Sequence, residues 1–118
     1  MGIRMGMVTI DCADPQKLAA FWSAAVDTAV AQDWGEFVML APAGEGQVRL
    51  AFQKVPEPKV GKNRVHVDFE TNDRVAEVER LVSLGASVAY DQVGVVPGLD
   101  WTTLADPEGN VFCVGQAH

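Results

Sequence analysis

Residues 3–11 alternate around the β-branched Val8, Thr9 and Ile10, which predicts a strand. Asp14-Pro15 then supplies an N-cap followed by proline at the first helical position. The helix is expected over 15–26, because Leu18, Ala19, Phe21, Trp22 and Ala25 recur at the spacing of one helical face. Residues 28–54 predict three short strands. Their turns fall near Asp33-Trp34-Gly35 and at Pro42-Ala43-Gly44-Glu45-Gly46. From Val55 to Asn63 the chain turns to proline and charge, the composition of a linker.

The pattern then starts again. Residues 64–70 alternate, with Val65, Val67 and Phe69 on one face and His66, Asp68 and Glu70 on the other. Asn72-Asp73 caps a helix expected over 73–84, with Val75, Val78, Leu81 and Val82 as its apolar stripe and Gly85 as its stop. Strands are expected near 87–92, 99–105 and 111–115, and Asp106-Pro107-Glu108-Gly109-Asn110 forms the last turn. Val8-Thr9-Ile10-Asp11 echoes Val65-His66-Val67-Asp68, and the shared strand–helix–three-strand order makes an internal duplication the better reading.

Strand parity separates two faces. Val8, Ile10, Leu50, Phe52, Val65, Val67, Phe69, Phe112 and Val114 form an apolar face that must pack against the helices. Met7, Thr9, Asp11, Arg49, Gln53, His66, Asp68, Glu70 and Cys113 share the other parity. A flat sheet presents such a face to water; a curled one makes it the lining of a cavity. Parity alone leaves both readings open.

Composition narrows the class. The chain has 118 residues, enough for one domain with its own core, and a net charge of −7, a poor match for nucleic acid or an anionic membrane. No apolar run approaches the ~20 residues of a membrane span, and the opening residues lack the apolar stretch expected of a signal peptide. Cys12 and Cys113 are the only cysteines and make no disulfide framework, so a reducing, cytoplasmic setting is the expectation.

Three segments carry a family resemblance: VTIDCADPQKLAAFW from Val8, KNRVHVDFETNDRVAEVERLVSLGA from Lys62, and LADPEGNVFCV from Leu104. They resemble the vicinal oxygen chelate superfamily, the glyoxalase/bleomycin-resistance-like proteins, in its short single-domain branch. The resemblance implies an α+β fold: two pseudo-repeated βαβββ modules forming a cup-shaped, half-open barrel with helices on the convex face. It covers one glyoxalase-like domain over 1–118, with module one about 3–55, a linker about 56–63 and module two about 64–116. It also implies a homodimer and, in metal-dependent members, a divalent metal gripped from the first and last strands of each module.

Carried over residue by residue, the ligand positions are Met7, Arg49, His66 and Cys113. Met7 offers a weak thioether and Arg49 a permanent positive charge, so this set disfavours a metal and no cofactor is expected. The expectation is a small-molecule-binding protein whose metal-free pocket is lined by Met7, Thr9, Arg49, His66, Asp68, Trp101 and Cys113. The alternative is an enzyme of lyase, isomerase or dioxygenase type with His66 as acid/base or with an atypical metal site. A third, minor reading makes the open face a protein interface.

Single residues carry their own alternatives. Arg49 either holds a carboxylate, phosphate or enolate of the ligand, or forms a salt bridge with Asp68, Asp11 or Glu70. His66 is either a base whose tautomer a carboxylate sets, or simply hydrogen-bonded in place. Cys113 is a nucleophile only where Arg49 or His66 lowers its pKa; otherwise it is an inert small hydrophobe. Trp101 and Trp34 are candidate stacking walls, Trp22 and Cys12 belong to the core, and His118 is a loose chain end.

Overall fold

A computed structural model describes residues 2–117, so His118 lies outside the described residues. The chain divides into two compact units, the first ending at Lys59 and the second beginning at Val60. Each unit is a βαβββ module, and the two have the same topology.

In the first unit, β1 (Met7–Cys12) leads into α1 (Pro15–Ala25), then β2 (Val30–Asp33), β3 (Phe37–Leu40) and β4 (Arg49–Lys54). The sheet order is β1-β4-β3-β2, with β1 parallel to β4 and the other pairs antiparallel. A parallel pair cannot be joined by a tight turn, so the chain must cross over, and α1 opens that crossover. The helix begins where Asp14 accepts the backbone N–H of Lys17 at 3.1 Å, with Pro15 in the first turn. Its stripe of Leu18, Ala19, Phe21, Trp22 and Ala25 is buried as its spacing predicts. Leu18, Val38, Leu40 and Phe52 are essentially inaccessible to water, and Phe21 packs edge-on against Trp22 with ring centroids 5.1 Å apart. Cys12 and Trp22 lie in this core, as expected.

The β1–β4 register pairs Met7 with Arg49, Thr9 with Ala51 and Asp11 with Gln53. Alternation places these pairs on the face opposite the buried Leu50 and Phe52. The parity reading therefore holds for β1 and β4, with the small Ala51 buried on the polar side.

The second unit runs β5 (Val67–Glu70), α2 (Arg74–Leu84), β6 (Ser87–Val96), β7 (Leu99–Ala105) and β8 (Val111–Ala117), in sheet order β5-β8-β7-β6 with β5 parallel to β8. Asp73 caps α2 by accepting the N–H of Ala76 at 3.1 Å, and Gly85 ends it at φ 124°, a conformation that glycine adopts without strain. In the last turn Asp106 accepts the backbone N–H groups of Glu108 and Asn110 at 2.9 and 3.0 Å.

Two expectations for this unit need correction. The first strand was expected over 64–70, but pairing with β8 begins only at Val67. Asn63 explains the delay: its side-chain amide donates to the carbonyls of Val65 and Val111 at 3.2 and 3.0 Å, taking up the Val111 carbonyl at the start of β8. Val65, read as a core residue, is therefore 81% exposed. The stripe of α2 is the second correction, since only Leu81 of Val75, Val78, Leu81 and Val82 is buried.

A polar cluster anchors α2 at its N-terminal end. The Arg74 guanidinium donates to Thr102 Oγ1 at 2.6 Å and to Asp91 Oδ1 at 3.2 Å, and Thr102 donates to the same carboxylate at 2.6 Å. Gln116 accepts the backbone N–H of Arg74 and donates to the carbonyl of Asn72, both at 2.8 Å. Thr102 is wholly buried, so its hydroxyl needs these partners.

Phe52→Ala should cost about 3–5 kcal/mol of unfolding free energy and Asp14→Ala about 1 kcal/mol, read from urea denaturation midpoints. A Phe52→Ala loss no larger than that of Asp14→Ala would contradict the packing described.

Candidate functional site

The chemistry of the second unit gathers where β5 meets β8. Parallel pairing sets Asp68 beside Cys113, and antiparallel pairing sets Thr103 on the other side of Cys113. His66 lies just before β5 and turns its ring back toward this pair. Its Nδ1 is 2.8 Å from Asp68 Oδ1 and 3.9 Å from Cys113 Sγ. Thr103 Oγ1 lies 3.4 Å from the same sulfur. The side chains of His66 and Asp68 are 48% and 65% exposed, whereas Cys113 is 7% exposed. The thiol thus forms the floor of the cluster, and the imidazole and carboxylate form its open rim.

In the tautomer that carries its proton on Nδ1 the ring donates to Asp68 and leaves Nε2 as an acceptor; in the other, Nδ1 itself faces the carboxylate and the sulfur with a lone pair. The carboxylate expected beside the ring is therefore Asp68. Cys113 behaves differently from a nucleophile. Burial pushes its thiol above the ordinary value; the Thr103 hydroxyl opposes this, and the charge and hydrogen bond of Asp68 add to it. The direction of the shift favours the inert small hydrophobe over the nucleophile among the two alternatives for this residue.

The donor atoms of His66, Asp68 and Cys113 all lie within 4.8 Å of one another. Imidazole, carboxylate and thiolate together make a borderline set that suits Zn²⁺ or a neighbouring first-row divalent ion. The positions Met7, Arg49, His66 and Cys113 disfavour a metal, but they leave out Asp68 as a donor. The strand register supplies that third donor, and the expectation of no cofactor is weakened accordingly. Asp68 has the parity of the site face, so the signal was present; the exact register against Cys113 was not. Thr103 as partner of the thiol escaped sequence reasoning because the faces of β7 had not been assigned.

The remaining site residues have definite places. Trp101 is half-buried and pairs with Gly115, two residues along the ladder from Thr103 and Cys113 and so on the same face. In the first unit Met7 and Arg49 are register partners, with Thr9 two residues on from Met7. The guanidinium of Arg49 lies 3.4 Å from Met39 Sδ. Within the first unit Asp11 makes no ion pair with Arg49 among the described residues. Trp34 is 60% exposed and leans on Phe37 with ring centroids 5.9 Å apart.

Two open four-stranded βαβββ units with side chains of reactive type on the sheet face away from the helix define a glyoxalase-type protein. The glyoxalase-like domain family matches residues 7–115, and the chain belongs to that family, within the vicinal oxygen chelate superfamily. Solved structures share the fold across the whole chain. A glyoxalase/bleomycin resistance protein/dioxygenase family enzyme from Burkholderia phytofirmans superposes with a TM-score of 0.82 at 17% identity, covering 98% of this chain and 100% of that one. The fosfomycin resistance protein FosX from Mesorhizobium loti gives 0.75 at 13% identity, covering 100% and 94%. TioX from Micromonospora gives 0.68 at 13% identity, covering 98% and 100%. No curated protein sequence matches the chain. Among the described residues no helix is long and apolar enough to cross a membrane.

A raised thiol pKa means less thiolate at any given pH. With Cys12 replaced by Ser, Cys113 should be alkylated by iodoacetamide at pH 7 at least about tenfold more slowly than a free thiol, gaining rate only above the ordinary thiol range. A rate at pH 7 equal to that of a small free thiol would show the sulfur to be activated instead.

Proposed function

We propose that the chain is an enzyme of the glyoxalase type that acts on a small organic molecule at an atypical metal site formed by His66, Asp68 and Cys113. The observation that carries this reading is the convergence of three different donors within 4.8 Å, all from one module. Catalytic zinc sites in general use three protein ligands and leave a further position open. The exposed rim formed by His66 and Asp68 supports such an opening. A divalent ion bound there supplies Lewis-acid polarisation of substrate oxygens.

The chain's own residues do the remaining work. Without a metal the 2.8 Å contact between Nδ1 and Asp68 holds the imidazole in place; with one bound, both groups would serve as ligands. Thr103 stabilises the sulfur once it is deprotonated. Because burial raises the thiol pKa, metal binding displaces a proton from Cys113 and strengthens as pH rises.

The protonated thiol also favours the second reading, a metal-free binding protein. There the His66–Asp68 pair orients a polar group of the ligand, with Cys113 and Trp101 as wall. Self-association into a homodimer belongs to either reading. It is supported by Val75 and Val82 on α2 and Val93, Val95 and Val96 on β6, all large apolar residues open to water in the single chain.

Metal analysis of protein purified without chelator should give about one zinc or similar divalent ion per chain, with affinity falling at least about tenfold in Cys113→Ser and in His66→Ala. A metal-free preparation that also fails to take up added Zn²⁺ would leave the binding-protein reading in its place. Light scattering on the same sample should return twice the chain mass, and a monomer would remove the dimer from both readings.

A further inference from the structure

Arg49 is a half-buried cation that makes no ion pair with a carboxylate of its own unit among the described residues, in a chain that has acid to spare. Sixteen carboxylate residues face nine lysines and arginines, yet none of the ion pairs among the described residues includes Arg49. The nearest carboxylate on its own sheet face by register is Asp11, whose partner Gln53 stands four residues from Arg49. That is about 13 Å along the strand, beyond the reach of the side chain. The protein partner the guanidinium does have is the thioether of Met39 at 3.4 Å, a weak acceptor that leaves most of its five N–H donors unmet.

Its surroundings are built rather than incidental. β4 sits between β1 and β3, so Arg49 is held on an interior strand of the sheet, on the face away from the helix. Met7 is its register partner on one side, and Met39 lies on β3 on the other. Beside Arg49, Ala51 is fully buried and adds no polar group. The result is a forked cationic donor flanked by two soft apolar side chains.

We propose that Arg49 is the receptor for an oxyanion, a carboxylate or a phosphoryl group, on the small molecule that this protein binds, with Met7 and Met39 contacting the apolar body next to that anion. A guanidinium in a fixed position matches either anion by two parallel hydrogen bonds, and low local polarity strengthens the pairing. This names the chemical class of the ligand in the proposed function. It rests on that reading only in taking the ligand to be a small organic molecule, and it holds with or without a metal in the second unit.

The test is a titration of the full-length protein, labelled at the methionine methyl groups, with hexanoate, its neutral analogue hexanamide, and inorganic phosphate. Hexanoate should shift the Met7 and Met39 methyl resonances saturably, with hexanamide at least tenfold weaker. Arg49→Gln should abolish the response, and Arg49→Lys, which keeps the charge but loses the fork, should weaken it several-fold. Competition by phosphate assigns the site to phosphoryl as well as carboxylate groups; failure to compete assigns it to carboxylates. Equal binding of hexanamide overturns the proposal, as does undiminished hexanoate binding in a folded Arg49→Gln variant, or no hexanoate binding to the native protein. Metal content measured on the same sample keeps failure of this proposal separate from failure of the metal reading.

Discussion

Parallel pairing of the first and last strands is the constraint on which each unit depends. In β1–β4 and β5–β8 the two strands run the same way, so the chain between them must cross over and then return as a meander. The crossover helix covers one sheet face and takes the apolar side chains of that parity. The larger polar side chains of the other parity, such as Arg49, His66 and Asp68, are thereby kept out of the helix-packed core. Arg49 and Cys113 both lie on the last strand of their unit, between the first strand and the third, where neighbours on both sides hold the backbone in place. The same rule that makes the fold also makes these the two best-fixed positions for chemistry.

The two units meet the constraint with different materials. In the first, α1 is sealed by Leu18, Phe21 and Trp22 against Val38, Leu40 and Phe52, an apolar core in the ordinary sense. In the second, Leu81 is the only buried residue of α2, and the helix is fixed at its N-terminal end by Arg74, Thr102, Asp91 and Gln116. A network of this kind specifies geometry closely but contributes less through burial, because its gains offset the desolvation of the arginine. The apolar residues that α2 and β6 leave open are the complement of that arrangement.

This difference explains what was legible in the sequence. Alternation and the Asp14-Pro15 and Asn72-Asp73 signals locate all ten elements to within a few residues, since cap chemistry and strand period are local properties. They also assign the faces of β1 and β4 correctly. The stripe of α2 misled because a helical period records which face is apolar and not whether anything covers it. The start of β5 was misplaced because Asn63 satisfies the Val111 carbonyl with its side chain, a contact spanning 48 positions along the chain. The site was half legible: parity collected His66, Asp68 and Cys113 onto one face, but the decision against a metal rested on positions inherited from a family pattern. Register, which places Asp68 rather than His66 directly beside Cys113, is a property of the paired sheet.

That register changes how the unusual residues are to be weighed. Taken as four ligands drawn from two modules, Met7, Arg49, His66 and Cys113 look like a metal site that has lost its function. Within the second unit alone, His66, Asp68 and Cys113 form a donor set that needs nothing from the first. The chemistry of Arg49 and Met7 can then be judged on its own terms: a fixed positive charge between two thioethers, with no ion pair to a carboxylate of its own unit among the described residues. A duplicated fold permits this division, because each module builds the same fixed strand positions and can fill them with different chemistry. The opposite characters of the two sets, metal-attracting donors on one sheet and a metal-repelling cation on the other, become consistent once each belongs to its own module.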